Sequence, residues 1–504
     1  MCQRGGWQPP SGARLLISCL YMDPRFDLSA AARQEMIHEG FQPDFPPGTD
    51  EQLATIHARL PVQQVDGAED LRELLWSSLD NDSSRDLDQI EVAERVDGGI
   101  RVMVGIADVD AAVEKGSVID QHAALETTTV YTGVRVFPML PEDLSTNLTS
   151  LAEGEDRLAL VAEMVVAADG KLASSRIFRA LVNNHAQLTY HDTGAWLEGR
   201  AAPGPKLAAS AELQAQLRLQ DEAAQALRAE RHRLGALNFD RVEAQPVITN
   251  GHVTNIEADR KTRANDLIED FMVAANEVMA RTLKESGASS IRRVVRTPER
   301  WPRIVEIAAR SGTQLPAQPD SGALNAFLEA RKQADPVHYP DLSLSVVKLM
   351  GPGEYVLTKT GDADQGHFGL AAQDYTHSTA PNRRFADLVT QRLIKAVLKK
   401  SPAPYTNSEL DAIARNCTQR ENSARKVERT MHKRMAAVAF HNRIGQSFNA
   451  IVTGVTPKGV FVRVADPPIE GRLMRNTQNV DVGDQIRVTL LNTDPVQGFI
   501  DFGR

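Results

Sequence analysis

Four carboxylates fall within nine residues in the stretch Leu79-Asp80-Asn81-Asp82-Ser83-Ser84-Arg85-Asp86-Leu87-Asp88-Gln89, which then runs straight into an apolar-alternating segment. Like charges held this close repel, and they raise one another's pKa unless a cation sits among them. A hard divalent metal is the natural guest. Magnesium suits such a loop because it takes a few carboxylates, keeps some waters and shares the rest of its shell with phosphate. The segments 90–96 and 100–106, around Asp97-Gly98-Gly99, predict a hairpin. The acidic loop is thereby anchored at a strand end, a rigid place for a catalytic site.

Three plainer readings stay open from these residues alone. The loop can be a solvated acidic turn. It can be a calcium loop, since Asp80, Asp82, Ser84 and Glu91 fall in an EF-hand order, although Arg85 stands where that motif needs glycine and strands follow instead of a helix. It can also be a helix cap, which would use one aspartate and leave the rest unexplained.

The chain has 504 residues, enough for roughly three domains. Its hydrophobic content of 42% and charged content of 24% are those of a soluble globular protein. Three widely spaced cysteines, Cys2, Cys19 and Cys417, form neither a disulfide framework nor a zinc pattern, so a reducing cytoplasm is expected. The apolar run 15–20 is too short to span a bilayer, and no membrane association is expected. A net charge of −9 argues against a general nucleic-acid coat protein. Local charge differs: Arg383, Arg384, Arg392, Lys395, Lys399, Lys400, Arg415, Arg420, Arg425, Lys426, Arg429, Lys433, Arg434 and Arg443 outnumber the acids around them, enough for a basic groove.

The fold class expected is α+β: a small N-terminal helical region over 1–73, one large mixed catalytic domain over 74–445, and a five-stranded OB-fold barrel over 446–504. Helices are predicted at 27–41 and 50–60, as a helix-turn-helix-like unit or a packing arm, and at about 205–233, 263–286, 300–311, 321–334 and 407–440. Residues 131–141 and 158–166 read as extended. Around His367 to Val389, Pro381 suits a first helical turn, which would place Arg383 and Arg384 where free amides already favour an anion. Guanidinium adds bidentate phosphate recognition. In the tail, Phe461 with Lys458 and Arg463 can stack and neutralise a single strand, or Phe461 can be barrel core.

Together these stretches resemble the ribonuclease II and ribonuclease R family of processive 3′ to 5′ exoribonucleases, over about residues 74–504. Of the four aspartates in that family's acidic motif, Asp80, Asp86 and Asp88 match the first three, and Gln89 stands at the fourth. The resemblance implies that Asp80, Asp86 and Asp88 are ligands of Mg2+ or of its water. Gln89 would offer an amide oxygen without charge. Thr379-Ala-Pro-Asn-Arg383-Arg384-Phe385 looks like the family's arginine signature, which makes Arg383 the clamp on the scissile phosphate and puts Arg384 on the RNA. Shorter likenesses place Tyr131 and Phe239 on the stack of terminal bases, Tyr190 with Asp270 near the ribose, and Glu428 beside the RNA path. The partner implied is single-stranded RNA, hydrolysed to nucleoside 5′-monophosphates by a monomer without a nucleotide cofactor. The family's two cold-shock domains have no room before residue 74. Gln89 and the altered arginine signature keep a second function open: an RNA-binding regulator on an exonuclease scaffold, with little turnover.

Overall fold

The computed structural model describes residues 26–60, 67–239, 242–249, 252–336, 338–363, 365–457, 459–464 and 466–504. Its first strands are β1 (Ala68–Asp70), β2 (Trp76–Asp80), β3 (Gln89–Val96) and β4 (Gly99–Ala107). A short hairpin of β5 (Val130–Tyr131) and β6 (Val136–Phe137) follows, and then the long strands β7 (Asp156–Val166) and β8 (Leu172–Thr189). Hydrogen bonding orders the main sheet β1-β8-β2-β3-β4-β7, and β8 also pairs with β7, so the sheet returns on itself.

The hairpin expected after the acidic loop is β3–β4, in register from Gln89↔Ile106 to Val96↔Gly99. Its turn needs glycine: Gly98 has φ +91°, and a Cβ on Gly99 would lie 2.1 Å from the Val166 carbonyl oxygen. The sequence gave no sign of β8. Its residues alternate poorly because its first half is largely exposed against β7 while its second half, from Asn184, runs parallel to β2 into the buried core. That parallel pairing aligns Asp80 with Thr189 and so sets the end of β2 beside Tyr190.

The helices Ala211–Arg233 and Arg263–Glu285 cover this sheet, and Trp76, Ile90, Val104, Phe271 and Leu388 share its core. Further pairs are β9 (Val242–Thr249) with β10 (His252–Arg260), and β11 (Ser290–Val294) with β12 (Glu354–Thr358). A helix at Tyr339–Met350 was not expected, since His338-Tyr-Pro-Asp reads as a turn; Pro340 instead sits in the first turn, where a missing N–H is harmless.

The expected helix at 381 begins four residues later, as Phe385–Leu398. Arg384 is extended, bridged to Thr128, and Pro381 to Arg383 form a turn, so neither arginine lies within the helix. The long helix Asn407–Phe440 forms as expected, with a capping box from Thr406 and Glu409. The N-terminal helix Leu28–His38, capped by Asp27, packs Ala32 and Met36 against Ala424, Val427 and Met431 of that long helix.

The tail is a closed barrel of β13 (Ser447–Thr456), β14 (Gly459–Val464), β15 (Ile469–Arg475), β16 (Gln485–Asp494) and β17 (Phe499–Gly503), ordered β13-β14-β15-β17-β16. Val460, Val462 and Val464 point inward and share a core with Met435 and Phe440 at the end of the long helix. Phe461 is on the outer face, 37% exposed, which decides between its two readings.

Candidate active site

Two distant segments meet at Asp88. The loop between β2 and β3 is pinned from below: the Leu87 amide donates to Ser150 Oγ, that hydroxyl donates to the Arg85 carbonyl, and the Leu151 amide donates to the Leu87 carbonyl. Asp88, 1% exposed, then faces the turn before the helix Phe385–Leu398. Its Oδ1 accepts from the Asn382 amide at 3.0 Å and its Oδ2 from Arg383 Nε at 3.2 Å. The Thr149 hydroxyl donates to Asn382 Oδ1 at 2.6 Å and fixes the turn. Backbone bonds from Thr129 N to the Arg383 carbonyl and from Phe385 N to the Thr127 carbonyl lock it from the other side. The Arg383 side chain stays 43% exposed, so it is held on Asp88 yet open to a ligand.

Burial pushes the Asp88 carboxyl up to about 7, although Arg383 and the Asn382 amide favour its charged form. Asp80 closes β2, and its Oδ1 accepts from the Asn81 amide and the Ser84 hydroxyl at 2.7 and 2.8 Å. Burial raises its pKa too, with Arg383 opposing the shift and Asp86 adding to it. Asp86 Oδ2 accepts from the Tyr131 hydroxyl at 2.8 Å. Tyr131 is 39% exposed, and its amide donates to Glu428 Oε1 at 3.4 Å. Tyr190 lies partly buried in the field of Asp80, and burial raises its pKa. The structure thus brings Asp80, Asp86, Asp88, Arg383, Tyr131, Tyr190 and Glu428 into one region.

Other expected site residues are placed elsewhere or otherwise engaged. Arg384 is a buried structural cation, donating to Asp387 at 2.7 Å, which itself accepts from the Ala380 amide. Phe239 packs against the cluster of Trp301, Leu324, Phe327 and Tyr339, because the loop that carries it lies along those helices. Asp270 is ion-paired with Arg228 and Arg231 beside a cavity of about 270 Å3 that also borders Glu277 and Arg281. Arg463 pairs with Asp341, and Lys458 lies outside the described residues. The basic run is also largely consumed internally: Arg392 holds Asp110 and Asp120, Lys395 holds Asp108, Arg434 holds Glu35, and Glu421 takes both Arg293 and Arg425. Lys399, Lys400, Arg429 and Lys433 are exposed, and no ion pair is described for them.

The donor set fits a hard divalent cation by its chemistry, all carboxylate oxygen, with Asp80 and Asp88 raised by burial and left short of positive charge. It is not a closed cage. Among the described residues, the group of ligand atoms that converges within 4.8 Å is Glu35, His38 and Glu39, whose glutamates serve ion pairs to Arg434 and Lys426. Gln89 is buried at the start of β3 and makes no described side-chain hydrogen bond. Sequence reasoning passed over two residues here. Asn382 aims its amide at Asp88, and Glu91 is a fully buried carboxylate whose two oxygens lack any hydrogen-bond partner. Glu91 did have a signal: a carboxylate at an interior strand position, where an apolar residue is the rule.

No helix among the described residues is long and apolar enough to cross a membrane. A family model described as the RNB domain matches residues 68–400, and one described as the RNase II-type exonuclease C-terminal S1 domain matches 446–504. Ribonuclease R 1 of Lactococcus lactis is 29% identical over 492 residues, covering 91% of this chain and 59% of that protein. Ribonuclease R of Escherichia coli K12 is 30% identical over 448 residues, 85% of this chain and 53% of that one. The chain therefore spans somewhat over half the length of these relatives. Among solved structures, Mycoplasma genitalium RNase R in complex with ribose methylated single-stranded RNA superposes with a TM-score of 0.84 at 21% identity, covering 95% of this chain and 78% of that one. Yeast Ssd1, a pseudonuclease, superposes with 0.69 at 18% identity, over 89% and 56%. With the RNB model matched across well over half its length, the chain belongs to the ribonuclease II and ribonuclease R family.

Proposed function

We propose that the protein is a sequence-nonspecific 3′ to 5′ exoribonuclease that hydrolyses single-stranded RNA processively to nucleoside 5′-monophosphates. The observation that carries this reading is the contact between Asp88 and the turn of Arg383, which joins an acidic loop to an exposed guanidinium. Phosphodiester hydrolysis needs that pairing of anionic metal ligands with a cation across the phosphate.

Asp80, Asp86 and Asp88 would hold magnesium. When bound, it supplies charge for the non-bridging oxygens and an acidified water. The remaining steps belong to the chain. Arg383, its Nε tied to Asp88, keeps its terminal nitrogens for a phosphate and fixes the distance between phosphate and acidic loop. The Tyr131 hydroxyl orients the Asp86 carboxylate while its exposed ring offers a face to a base. Stacking accepts any base, so indifference to sequence follows. Tyr190, beside Asp80, lies where a ribose 2′-hydroxyl would tell RNA from DNA. Exposed Arg429 and Lys433, one turn apart and flanking Glu428, give the strand a cationic approach.

A 5′-labelled single-stranded RNA, incubated with magnesium or with chelator, tests the reading. A ladder shortening from the 3′ end only with metal is expected. Tight binding without shortening would instead favour a regulatory RNA-binding protein, a reading kept in view by the uncharged Gln89 and the pseudonuclease among structural neighbours.

A further inference from the structure

Glu91 follows Gln89 by two positions on β3, so the pleat puts both on one face. The opposite face is apolar, where Ile90 gathers with Trp76 and Ala159 around Gly105. Across the sheet Glu91 is paired with Ser77 of β2, and Asp80 closes β2 three residues further on. This is the one register position described between β2 and β3. Beyond it the free edge of β3 is served by the helix Ala211–Arg233: Gln216 bonds the Ala93 amide and carbonyl, and Gln220 donates to the Glu91 carbonyl at 3.4 Å. Those amides satisfy backbone and leave the Glu91 carboxylate alone. It is fully buried, neither oxygen meets a donor, and the charge that acts on it is the like charge of Asp80. Tyr190 lies in the field of both carboxylates.

A buried carboxylate beside another, without a donor on either oxygen, is stable only with a cation or as an acid. We propose that Glu91 is an anionic ligand of the divalent cation held with Asp80, and that it carries the charge which the Gln89 amide lacks. The assignment rests on the metal-dependent reading above and names the residue that lets this chain dispense with an aspartate at position 89. Magnesium or manganese, both partial to oxygen, fit the site.

The test uses the full chain stripped of metal and titrated with Mn2+ alone, following free ion by electron paramagnetic resonance. Glu91→Gln should weaken Mn2+ binding by at least about tenfold, and adding Gln89→Asp to it should restore most of the loss. Binding within about twofold of wild type in Glu91→Gln overturns the assignment. Thermal melting supplies a second readout. Without metal, Glu91→Gln should melt at or above wild type, because an unpaired buried charge is gone; with Mn2+ the order should reverse. An equal metal-induced rise in both proteins also overturns it, and Glu91→Leu gives the same comparison if the glutamine variant does not fold. RNA shortening is scored separately. Wild type that binds Mn2+ through Glu91 yet leaves RNA intact sinks the exoribonuclease reading alone, whereas active wild type with an unaffected Glu91→Gln sinks only the ligand.

Discussion

Asp88 and Tyr131 show how single side chains divide the labour of this site. Asp88 is nearly inaccessible and makes its two contacts with the arginine turn, so it holds that turn in place as much as it offers charge. Tyr131 combines a hydroxyl on Asp86 with a ring open to solvent, and the two functions separate by mutation. Tyr131→Phe keeps the ring and loses one hydrogen bond to a charged acceptor. Its kcat should fall about tenfold with KM unchanged, whereas Tyr131→Ala should also raise KM; steady-state kinetics on one RNA distinguish them. At this scale the acidic loop was legible because its charge density has few physical settings. Phe239 and Asp270 were not, because an aromatic in a loop and an aspartate on a helix look alike whether they face a ligand, a neighbouring helix or a pair of arginines.

Among elements, the helix Phe385–Leu398 decides whether the arginine turn is correctly placed. It is tied to the sheet region through Arg392, which donates to Asp110, Asp120, the Tyr405 hydroxyl and the Val113 carbonyl. Arg392→Met leaves those acceptors buried and uncompensated, and should destabilise the fold by about 3–5 kcal/mol in denaturant titration. The segment ahead of the same turn carries a pH-sensitive contact. His367 Nδ1 accepts from the Leu370 amide, and burial, with Arg293 nearby, lowers its pKa to about 4 from an ordinary 6.5. Between those values the unfolded chain binds a proton that the folded chain refuses, so stability falls as pH drops through that window. His367→Asn, which keeps an acceptor, should flatten that fall by up to ~1.4 kcal/mol per pH unit in chemical denaturation at several pH values. Elements with strong local signals were legible: the hairpin through its Asp-Gly turn, the long helix through its capping box, the barrel strands through their alternation. The strand β8 was not, since its pattern changes where its partner changes from β7 to β2, and that is a tertiary fact.

At the level of the whole molecule, an acidic chain handles RNA with few cations to spare. Most of the basic run at 383–443 ties helices, sheet and N-terminal arm together, so its density in sequence overstated the charge available to phosphate. Binding should accordingly show a shallow salt dependence, and replacing Arg429 and Lys433 with alanine should lower the slope of log affinity against log salt by about two, equally for all sequences. The long helix runs from the arginine turn's neighbourhood to the barrel core, which couples the S1-like tail to the rest through Met435 and Phe440. The central claim is that the acidic loop and the arginine turn form one phosphodiester-cleaving centre, and single-turnover removal of the 3′-terminal nucleotide by Asp88→Asn tests it most directly. The account predicts a loss of at least ~100-fold, about 2.7 kcal/mol of transition-state stabilisation, with RNA affinity within about threefold of wild type. Cleavage at the native rate would contradict it.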